Sequence, residues 1–341
     1  MLREGSRVFC MRAVCALYAL AASVSCTFKV PFAERMLFST ARAEIPSAED
    51  CARCHHEVYE EWRDSLHAHA WSSARFAALT ADHEASACLS CHAPAPLGPQ
   101  GEVSLRADRR SEGVTCITCH LSTAPHDGAL AMRGPHERTT PIEVHPVVRD
   151  PLFIDARLCG SCHEQVLEEW RASPAPSDGA EKATCQSCHM AAVRRTIENY
   201  NPSLPYSALF VTLATEIEGR RHGFAVPEDL EDDIELRVST TLSGVVEVAV
   251  TNRLPHAIPT GAFGRRELRL RVRDASGESL RTLRADLGER IAAGQTRSFA
   301  FPERSPNGLD VSLERRAAGA ERYVPLVASS GVGSGERPPR E

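Results

Sequence analysis

Five segments of the chain have the spacing Cys-x-x-Cys-His within 341 residues. Two thiols three positions apart can form thioethers with the two vinyl groups of a haem, and the histidine that follows is then placed under the iron. The thioether cysteines would be Cys51, Cys54, Cys88, Cys91, Cys116, Cys119, Cys159, Cys162, Cys185 and Cys188, and the proximal ligands His55, His92, His120, His163 and His189. The spacing therefore predicts five covalently attached haem c groups.

Paired cysteines also occur in zinc sites, in redox-active dithiols and in structural disulfides. Neither zinc nor dithiol chemistry explains why a histidine follows all five pairs, and pairing of the motifs around zinc would leave one of the five without a partner. A disulfide within each motif would close a short, strained ring five times. Covalent haem is the interpretation that accounts for all fifteen residues.

A six-coordinate haem needs a second axial ligand, which the sequence can supply mainly from histidine. Only Met132 and Met190 lie beyond the N-terminal segment, whereas nine histidines lie outside the motifs. The favoured distal ligands are His67, His145, His222, His256 and His83, with His69, His126 and His136 competing with His83 for the fifth place. Ligation by two histidines gives lower potentials than ligation by methionine and histidine.

The motifs are closely spaced, with their first cysteines at positions 51, 88, 116, 159 and 185. So little polypeptide cannot insulate the haems from one another, and we expect them to form much of the core and to exchange electrons rapidly. Two of the motifs belong to a longer repeat, because residues 51–65 resemble residues 159–173. The stretch after each of these histidines lacks Gly and Pro and has apolar residues at helical spacing, which predicts a helix. The tryptophan in each copy is expected to pack on a porphyrin or in the protein core.

The charge is distributed unevenly along the chain. Residues 44–233 contain 16 Lys and Arg against 30 Asp and Glu, a net charge of −14, whereas residues 234–341 contain 17 against 13, a net charge of +4. An acidic haem region argues against nucleic acid as a partner. It favours redox partner proteins with a basic docking face, and it leaves oligomer formation open.

The first 43 residues have the pattern of an export signal. Arg3, Arg7 and Arg12 precede an apolar run of about 14 residues, and Ala41-Arg42-Ala43 is typical of a cleavage site. The apolar run is short for a membrane-spanning helix, so the mature chain is expected to have no transmembrane segment and to be periplasmic, at the cell surface or extracellular. An uncleaved anchor and a lipoprotein modified at Cys26 are the alternatives.

From about residue 234 the sequence alternates between apolar and polar residues. Segments such as 234–238, 245–250 and 267–273, with later ones near 296–301, 309–316 and 322–327, predict an antiparallel β-sandwich of about seven short strands. The expected organisation is a signal peptide over 1–43, a helical or irregular pentahaem cytochrome c domain over 44–233, the sandwich over 234–330 and a mobile tail over 331–341. The fold class is therefore α + β in separate domains.

Residues around the motifs resemble the cytochrome c-554 family and its hydroxylamine-oxidoreductase-like multihaem relatives. The resembling stretches are Trp62-x-x-Ser65-x-His67-Ala68, Cys88 to Pro94, Gly113 to Cys116, Leu158 to Glu164 and Thr184 to Met190. The resemblance spans about residues 48–275 and implies that His67 is a distal ligand. It implies the same for His256, whose segment Pro255-His256-Ala257-Ile258-Pro259-Thr260-Gly261 differs from the family's Gly-His-x-x-Pro-Thr-Gly by a Pro in place of the first Gly.

These observations favour an exported pentahaem cytochrome that carries electrons through closely packed, mostly bis-histidine haems. The alternatives are a multihaem oxidoreductase with one open haem, acting on a small nitrogen or sulfur compound, and a haem subunit of a larger redox complex. We favour electron transfer over catalysis, because no Cys-x-x-Cys-Lys motif is present and no catalytic residue can be named. The sandwich would cap the haem domain or dock it to a partner.

Overall fold

The structure is a computed structural model of the chain. It describes residues 45–124, 130–136, 145–174, 181–196, 216–227, 230–240, 245–260, 267–273, 279–285, 290–304, 309–316 and 322–332. The expected signal peptide, the competing ligand His126 and nearly all of the expected tail lie outside these residues. Within them, no helix is long and apolar enough to cross a membrane.

The first part of the described chain is built from short helices. They are α1 (Ala48–Ala52), α2 (His56–Arg63), α3 (Ala74–Leu79), α4 (Ser86–His92), α5 (Cys116–His120), α6 (Arg157–Gly160), α7 (Glu164–Ala172) and α8 (Cys185–His189), with 3-10 turns at Arg110–Glu112 and Pro151–Ile154. The helices expected after the first and fourth motifs are confirmed as α2 and α7. Helix α7 ends just before Ser173 and Pro174, since proline cannot continue a helix.

The second, third and fifth Cys-x-x-Cys-His motifs lie within α4, α5 and α8, whereas the first and fourth begin in α1 and α6 and continue through a turn to α2 and α7. Helix α1 begins after Ser47, whose hydroxyl accepts the Asp50 N–H while the Asp50 carboxylate accepts the Ser47 N–H, a reciprocal cap. Helix α8 begins after Thr184, whose hydroxyl accepts the Ser187 N–H. A helical turn brings positions three apart onto one side, so it directs both thiols of a motif the same way.

The remaining structure consists of strands. They are β1 (Met132–Gly134), β2 (Val147–Arg149), β3 (Ala192–Thr196), β4 (Glu216–Arg220), β5 (Ile234–Thr240), β6 (Val245–Asn252), β7 (Glu267–Arg273), β8 (Ser279–Ala285), β9 (Thr296–Arg304), β10 (Leu309–Arg316) and β11 (Val324–Val332). Strands β1 and β2 form a parallel pair, and β3 and β4 an antiparallel pair that leads directly to His222. Strand β11 continues two residues past the expected domain boundary at 330.

The seven C-terminal strands form two antiparallel sheets, with strand orders β5-β6-β9 and β11-β10-β7-β8. Alternate residues of both sheets point into one hydrophobic core. Val248 and Val250 of β6 are fully buried there, beside Leu270 and Val272 of β7 and Val311 of β10. The alternation in the sequence therefore separates a buried face from a solvent face on each sheet.

The apolar cluster of the helical region is much smaller. Ala48, Trp62 and Ala68 are buried together, with Cys116 and Phe224 packed against them. A motif cysteine, Cys116, thus packs against this cluster.

Candidate haem-binding site

Four motif histidines each face a histidine from elsewhere in the chain. The ring centroids are 6.4 Å apart for His55 and His145, 6.2 Å for His163 and His67, 6.1 Å for His120 and His222, and 6.3 Å for His189 and His256. Two imidazoles bonded end-on to one metal ion, with bonds of about 2 Å, have centroids roughly 6 Å apart. The four pairs therefore have the spacing of axial ligands on opposite sides of an iron, and these residues fit the haem that the motifs predict.

Backbone carbonyls orient several of these rings. His120 Nδ1 donates to the Arg133 carbonyl at 2.9 Å, and His222 Nδ1 donates to the Arg220 carbonyl, also at 2.9 Å. His189 Nδ1 donates to the carbonyl of Ala225 at 3.1 Å. A hydrogen bond from Nδ1 fixes the tautomer and leaves Nε2 as the metal ligand.

Three of the distal candidates, His67, His222 and His256, are held in the neutral form. Burial, and to a smaller extent His163, lowers the pKa of His67 to about 4. Burial, and to a smaller extent His120, lowers the pKa of His222 to about 4 as well. Burial also lowers the pKa of His256. Because a metal binds the neutral imidazole, these side chains are in the required protonation state at pH 7.

The segment before the third motif positions His67. The Val114 N–H donates to the His67 carbonyl at 2.9 Å, and the Trp62 indole N–H donates to the Val114 carbonyl at 2.8 Å. Gly113 has a φ of +61°, and a Cβ there would lie 2.4 Å from the His67 carbonyl oxygen. Glycine is therefore required at this close approach. The edge of Phe224 contacts the His67 ring, with centroids 4.2 Å apart.

Arg133 was not identified from the sequence, yet it organises the third motif. Its side chain is only 6% exposed. The guanidinium donates to the carbonyls of Cys119 at 2.9 Å and Leu97 at 3.0 Å, and it pairs with the Asp150 carboxylate at 3.3 Å. A buried guanidinium is retained only where its donors are satisfied, and here it joins the segments on either side of the motif.

The loop of His256 is attached to the strand before it by Asn252. This side chain is fully buried. Its amide nitrogen donates to the carbonyls of His256 and Ile291, each at 2.9 Å, and its oxygen accepts the Leu254 N–H at 3.0 Å. The amide thereby holds both ends of the loop that presents His256 to His189.

The second motif is arranged differently. His92 Nδ1 donates to the Ala70 carbonyl at 2.7 Å, and the Phe76 ring stacks on the His92 ring with centroids 3.8 Å apart. His83, which we expected to be a distal ligand, stacks on Trp71 at 4.2 Å, and its Nε2 is bonded to the Trp71 carbonyl at 3.0 Å. Within the described residues, no second histidine ring faces His92. Trp71 and Phe76 therefore hold His83 away from the role that the sequence suggested.

Thiols of different motifs meet in three places. Cys51 lies beside Cys116, Cys91 beside Cys162 and Cys159 beside Cys185. The ten motif cysteines carry no disulfide. In the described part of the chain, no three or more His, Cys, Asp or Glu side chains converge as they would around a bare metal ion. The contacts bring the attachment sites of separate motifs side by side.

The tryptophans of the repeat form hydrogen bonds in addition to apolar contacts. Trp62 is buried beside Ala48 and Ala68, and its indole N–H is bonded to the backbone before the third motif. Trp170 donates in the same way to the Ala183 carbonyl at 2.7 Å, before the fifth motif. The buried indole of Trp62 needs a partner for its N–H, and the half-buried Trp170 makes the equivalent bond, so each ring is joined to the segment that leads to a later motif.

Comparisons with known proteins agree with this site. Residues 50–121 match the family model "Cytochrome c554 and c-prime". The fold is similar to that of a penta-heme cytochrome c552 from Thermochromatium tepidum, with a TM-score of 0.54 and 19% sequence identity over 84% of this chain and 98% of the other. An endonuclease/exonuclease/phosphatase from Beutenbergia cavernae matches 29% of this chain and 24% of its own, at 16% identity and a TM-score of 0.20, which is too low to indicate a shared fold. No curated protein matches the sequence significantly.

The first three haem motifs lie inside the matched segment, and the structural likeness extends the comparison of the fold to most of the chain. Together with the five Cys-x-x-Cys-His motifs, the match of residues 50–121 and the similar fold support a multihaem c-type cytochrome.

Proposed function

We propose that this protein is an exported pentahaem cytochrome that transfers electrons, with four of its five haems each ligated by two histidines. The observation that carries the proposal is the set of four facing histidine pairs. In each pair one member belongs to a Cys-x-x-Cys-His motif and the other comes from a distant part of the chain. When bound, the haems would supply the one-electron chemistry.

The chain's own residues hold and orient the ligands. Backbone carbonyls accept the Nδ1–H groups of His120, His189 and His222, which leaves each Nε2 for the iron. Burial keeps His67 and His222 neutral. A site that is fixed before the oxidation state changes needs little reorganisation, as electron transfer requires.

Contacts between the motifs support a connected path. Cys51 meets Cys116, Cys159 meets Cys185 and Cys91 meets Cys162. These contacts join the first motif to the third, the fourth to the fifth and the second to the fourth. The Cys119 sulfur of the third motif also lies near Cys159 and Cys162 of the fourth. All five attachment sites are thus linked through neighbours.

We further propose that residues 1–43 direct export and are removed, and that the two C-terminal sheets form a β-sandwich. The shared core of the two sheets supports the sandwich. The sandwich also contributes to the haem region, because His256 lies on the loop after β6 and faces His189. Its proposed role is therefore to supply a ligand as well as to cover the haem region.

A second candidate function rests on the second motif. His92 faces no other histidine in the described residues, and His83 is held by Trp71. An iron with an open coordination position can bind a small molecule, so a multihaem oxidoreductase acting on a small nitrogen or sulfur compound is the alternative. A haem subunit of a larger redox complex would have the same ligands.

Two measurements on the exported, haem-loaded protein test the main proposal. Mass spectrometry of the denatured protein should give the mass of the mature chain plus five haems, because thioethers survive unfolding, and replacing Cys185 and Cys188 with Ala should leave four. Electron paramagnetic resonance of the oxidised protein should show four low-spin haems with two histidine ligands. Fewer than five haems, or zinc in their place, would refute the pentahaem assignment, and a mainly high-spin spectrum would refute the histidine pairing.

A further inference from the structure

The two copies of the internal repeat also make equivalent contacts in the structure. The copies begin at Cys51 and Cys159. Their first cysteines contact the first cysteines of the third and fifth motifs, Cys116 and Cys185. Each copy therefore combines one motif inside the repeat with one motif further along the chain. The first copy pairs motifs one and three, and the second copy pairs motifs four and five.

The tryptophans of the two copies also make equivalent contacts. Trp62 donates to the carbonyl of Val114 at 2.8 Å, and Trp170 donates to the carbonyl of Ala183 at 2.7 Å. Each acceptor lies two residues before the first cysteine of the later motif in its own copy. The repeat thus reproduces a three-dimensional arrangement, and residues at equivalent positions can be compared by what they contact.

Glu61 is one such position, directly before Trp62 on α2. Its carboxylate binds the Arg195 guanidinium through two contacts, at 2.9 and 3.1 Å, and Arg221 at 3.0 Å. The same carboxylate accepts the backbone N–H of His222 at 2.9 Å. The ring of His222 faces His120 of the third motif. Glu61 therefore holds the backbone of the residue that is opposite the later motif of its copy.

Glu169 is the equivalent position on α7, directly before Trp170. Its carboxylate accepts the backbone N–H of Ala257 at 3.1 Å and pairs with the Arg290 guanidinium at 2.6 Å. The Gln165 amide donates to it at 3.3 Å. Ala257 is the neighbour of His256, whose ring faces His189 of the fifth motif.

Arg290 holds the same loop from its other end. Its Nε donates to the carbonyl of Pro259 at 3.1 Å while its Nη2 meets Glu169. The His256 loop is thereby fixed at Ala257 and at Pro259 by one ion pair. The first copy uses Arg195 and Arg221 to hold Glu61 in the corresponding way.

We propose that Glu61 and Glu169 are paired positioning residues, each of which fixes the segment carrying a distal histidine and so keeps that histidine on the iron of the later motif. The proposal rests on the ligation by His222 and His256 stated above. Both ligands come from segments far along the chain from the helices that hold them, so binding requires that their backbones be ordered. A charge-assisted hydrogen bond from a carboxylate to the backbone N–H provides that order.

The test replaces each carboxylate with its near-isosteric amide, Glu61→Gln and Glu169→Gln, in the full haem-loaded protein. An amide keeps the size of the side chain but loses the ion pairs and weakens the hydrogen bond to the N–H. Matched controls are Glu60→Gln and Glu168→Gln, one position earlier on the same helices. Glu60 pairs only with Arg63 among the described contacts, and Glu168 is exposed.

The readout is the exchange of the distal ligand in the reduced protein, followed as carbon monoxide binding by absorption spectroscopy. Each Glu→Gln variant should make one more haem reactive than in the wild type, with exchange roughly tenfold faster, the size of effect that partners of metal ligands commonly have. The control variants should match the wild type. Added imidazole should restore the low-spin spectrum.

His222→Ala and His256→Ala distinguish the proposed ligation by these histidines from the positioning role of the two glutamates. If these variants leave the spectrum unchanged, the proposed ligation is wrong. If they change it while Glu61→Gln and Glu169→Gln behave like the controls, the ligation stands and the positioning role is refuted. Should a Glu variant fail to mature with five haems, Arg290→Gln provides a milder test, since it removes the ion pair and leaves the carboxylate in place.

Discussion

The imidazole of His67 faces that of His163 across 6.2 Å, although His67 lies two residues after the first copy of the repeat and His163 lies in the second. Under the proposed ligation, His67 would therefore serve the fourth motif and not the first, whose histidine, His55, faces His145. The second copy of the repeat would then depend on a ligand that follows the first copy.

The first prediction follows from this crossing. His67→Ala should convert one haem from low-spin to high-spin, and the affected haem should be the one attached through Cys159 and Cys162. Among the described ring contacts, His67 meets His163 and Phe224, and Phe224 cannot bind iron, so a replacement ligand from the protein is not expected. Electron paramagnetic resonance of the oxidised protein measures the change.

His69→Ala is the matched control for His67→Ala, because His69 lies two residues further on and is exposed. It should leave the spectrum unchanged. An unchanged spectrum for His67→Ala, combined with a high-spin haem in His69→Ala, would show that the neighbouring histidine is the ligand.

The second prediction concerns His92. If its haem is open, the reduced wild-type protein should bind one carbon monoxide per molecule, since the other four haems are closed by histidine. His83→Ala should not change this number, because Trp71 already holds His83 through stacking and a hydrogen bond. Binding of no carbon monoxide would place a sixth ligand on this haem and would remove the basis for the enzymatic alternative.

Local features of the molecule could be predicted from the sequence. The thiol and imidazole spacing predicts the attachment sites, and the helical spacing after His55 and His163 predicts α2 and α7, because these signals depend on neighbours along the chain. Alternation predicts most of the C-terminal strands for the same reason. Strand β8, over Ser279–Ala285, was missed, since its polar and charged residues obscure the alternation.

Contacts between distant segments could not be predicted in this way. Nothing in the spacing of His67 assigns it to His163, and the sequence placed His83 among the ligands although Trp71 competes for it. Arg133, Asn252 and the two repeat glutamates were also missed. The repeat itself did contain a signal for the glutamates, because Glu61 and Glu169 occupy equivalent positions. Their role became recognisable only when the structure showed which backbone N–H groups they hold.

The third prediction concerns Asn252. Asn252→Ala removes three hydrogen bonds in a fully buried position and leaves the His256 and Ile291 carbonyls without that partner. We expect the free energy of unfolding to fall by about 2–4 kcal/mol, as buried polar groups lose their partners. Urea denaturation followed by far-ultraviolet circular dichroism measures the change.

Thr251→Ala is the control for Asn252→Ala. The Thr251 hydroxyl is bonded to that of Thr296 at 2.9 Å in an exposed position, so its loss should cost less than about 1 kcal/mol. Equal effects of the two substitutions would contradict the view that Asn252 anchors the His256 loop.

The last prediction concerns the partner surface. The region that carries the motifs has a net charge of −14 from its side chains, and haem propionates would add negative charge. Charged faces steer diffusional encounter, and salt screens this effect. We therefore expect a redox partner with a basic docking face. The rate of electron transfer to a small basic redox protein should fall roughly tenfold or more as salt rises from low to physiological concentration.

The alternative is docking through residues 234–341, which carry a net charge of +4. The pairing of Arg269 and Arg271 with Glu314 is already included in this net charge. The value of +4 is much smaller in magnitude than the −14 of residues 44–233, which favours the acidic region as the docking face. Stopped-flow kinetics with one basic and one acidic redox protein, each over a series of salt concentrations, distinguishes the two surfaces. Faster reaction with the acidic protein at low salt would reject docking through the acidic haem region, because like charges slow encounter. Docking through the positive region would also repel the basic protein, and its rate would then rise with salt.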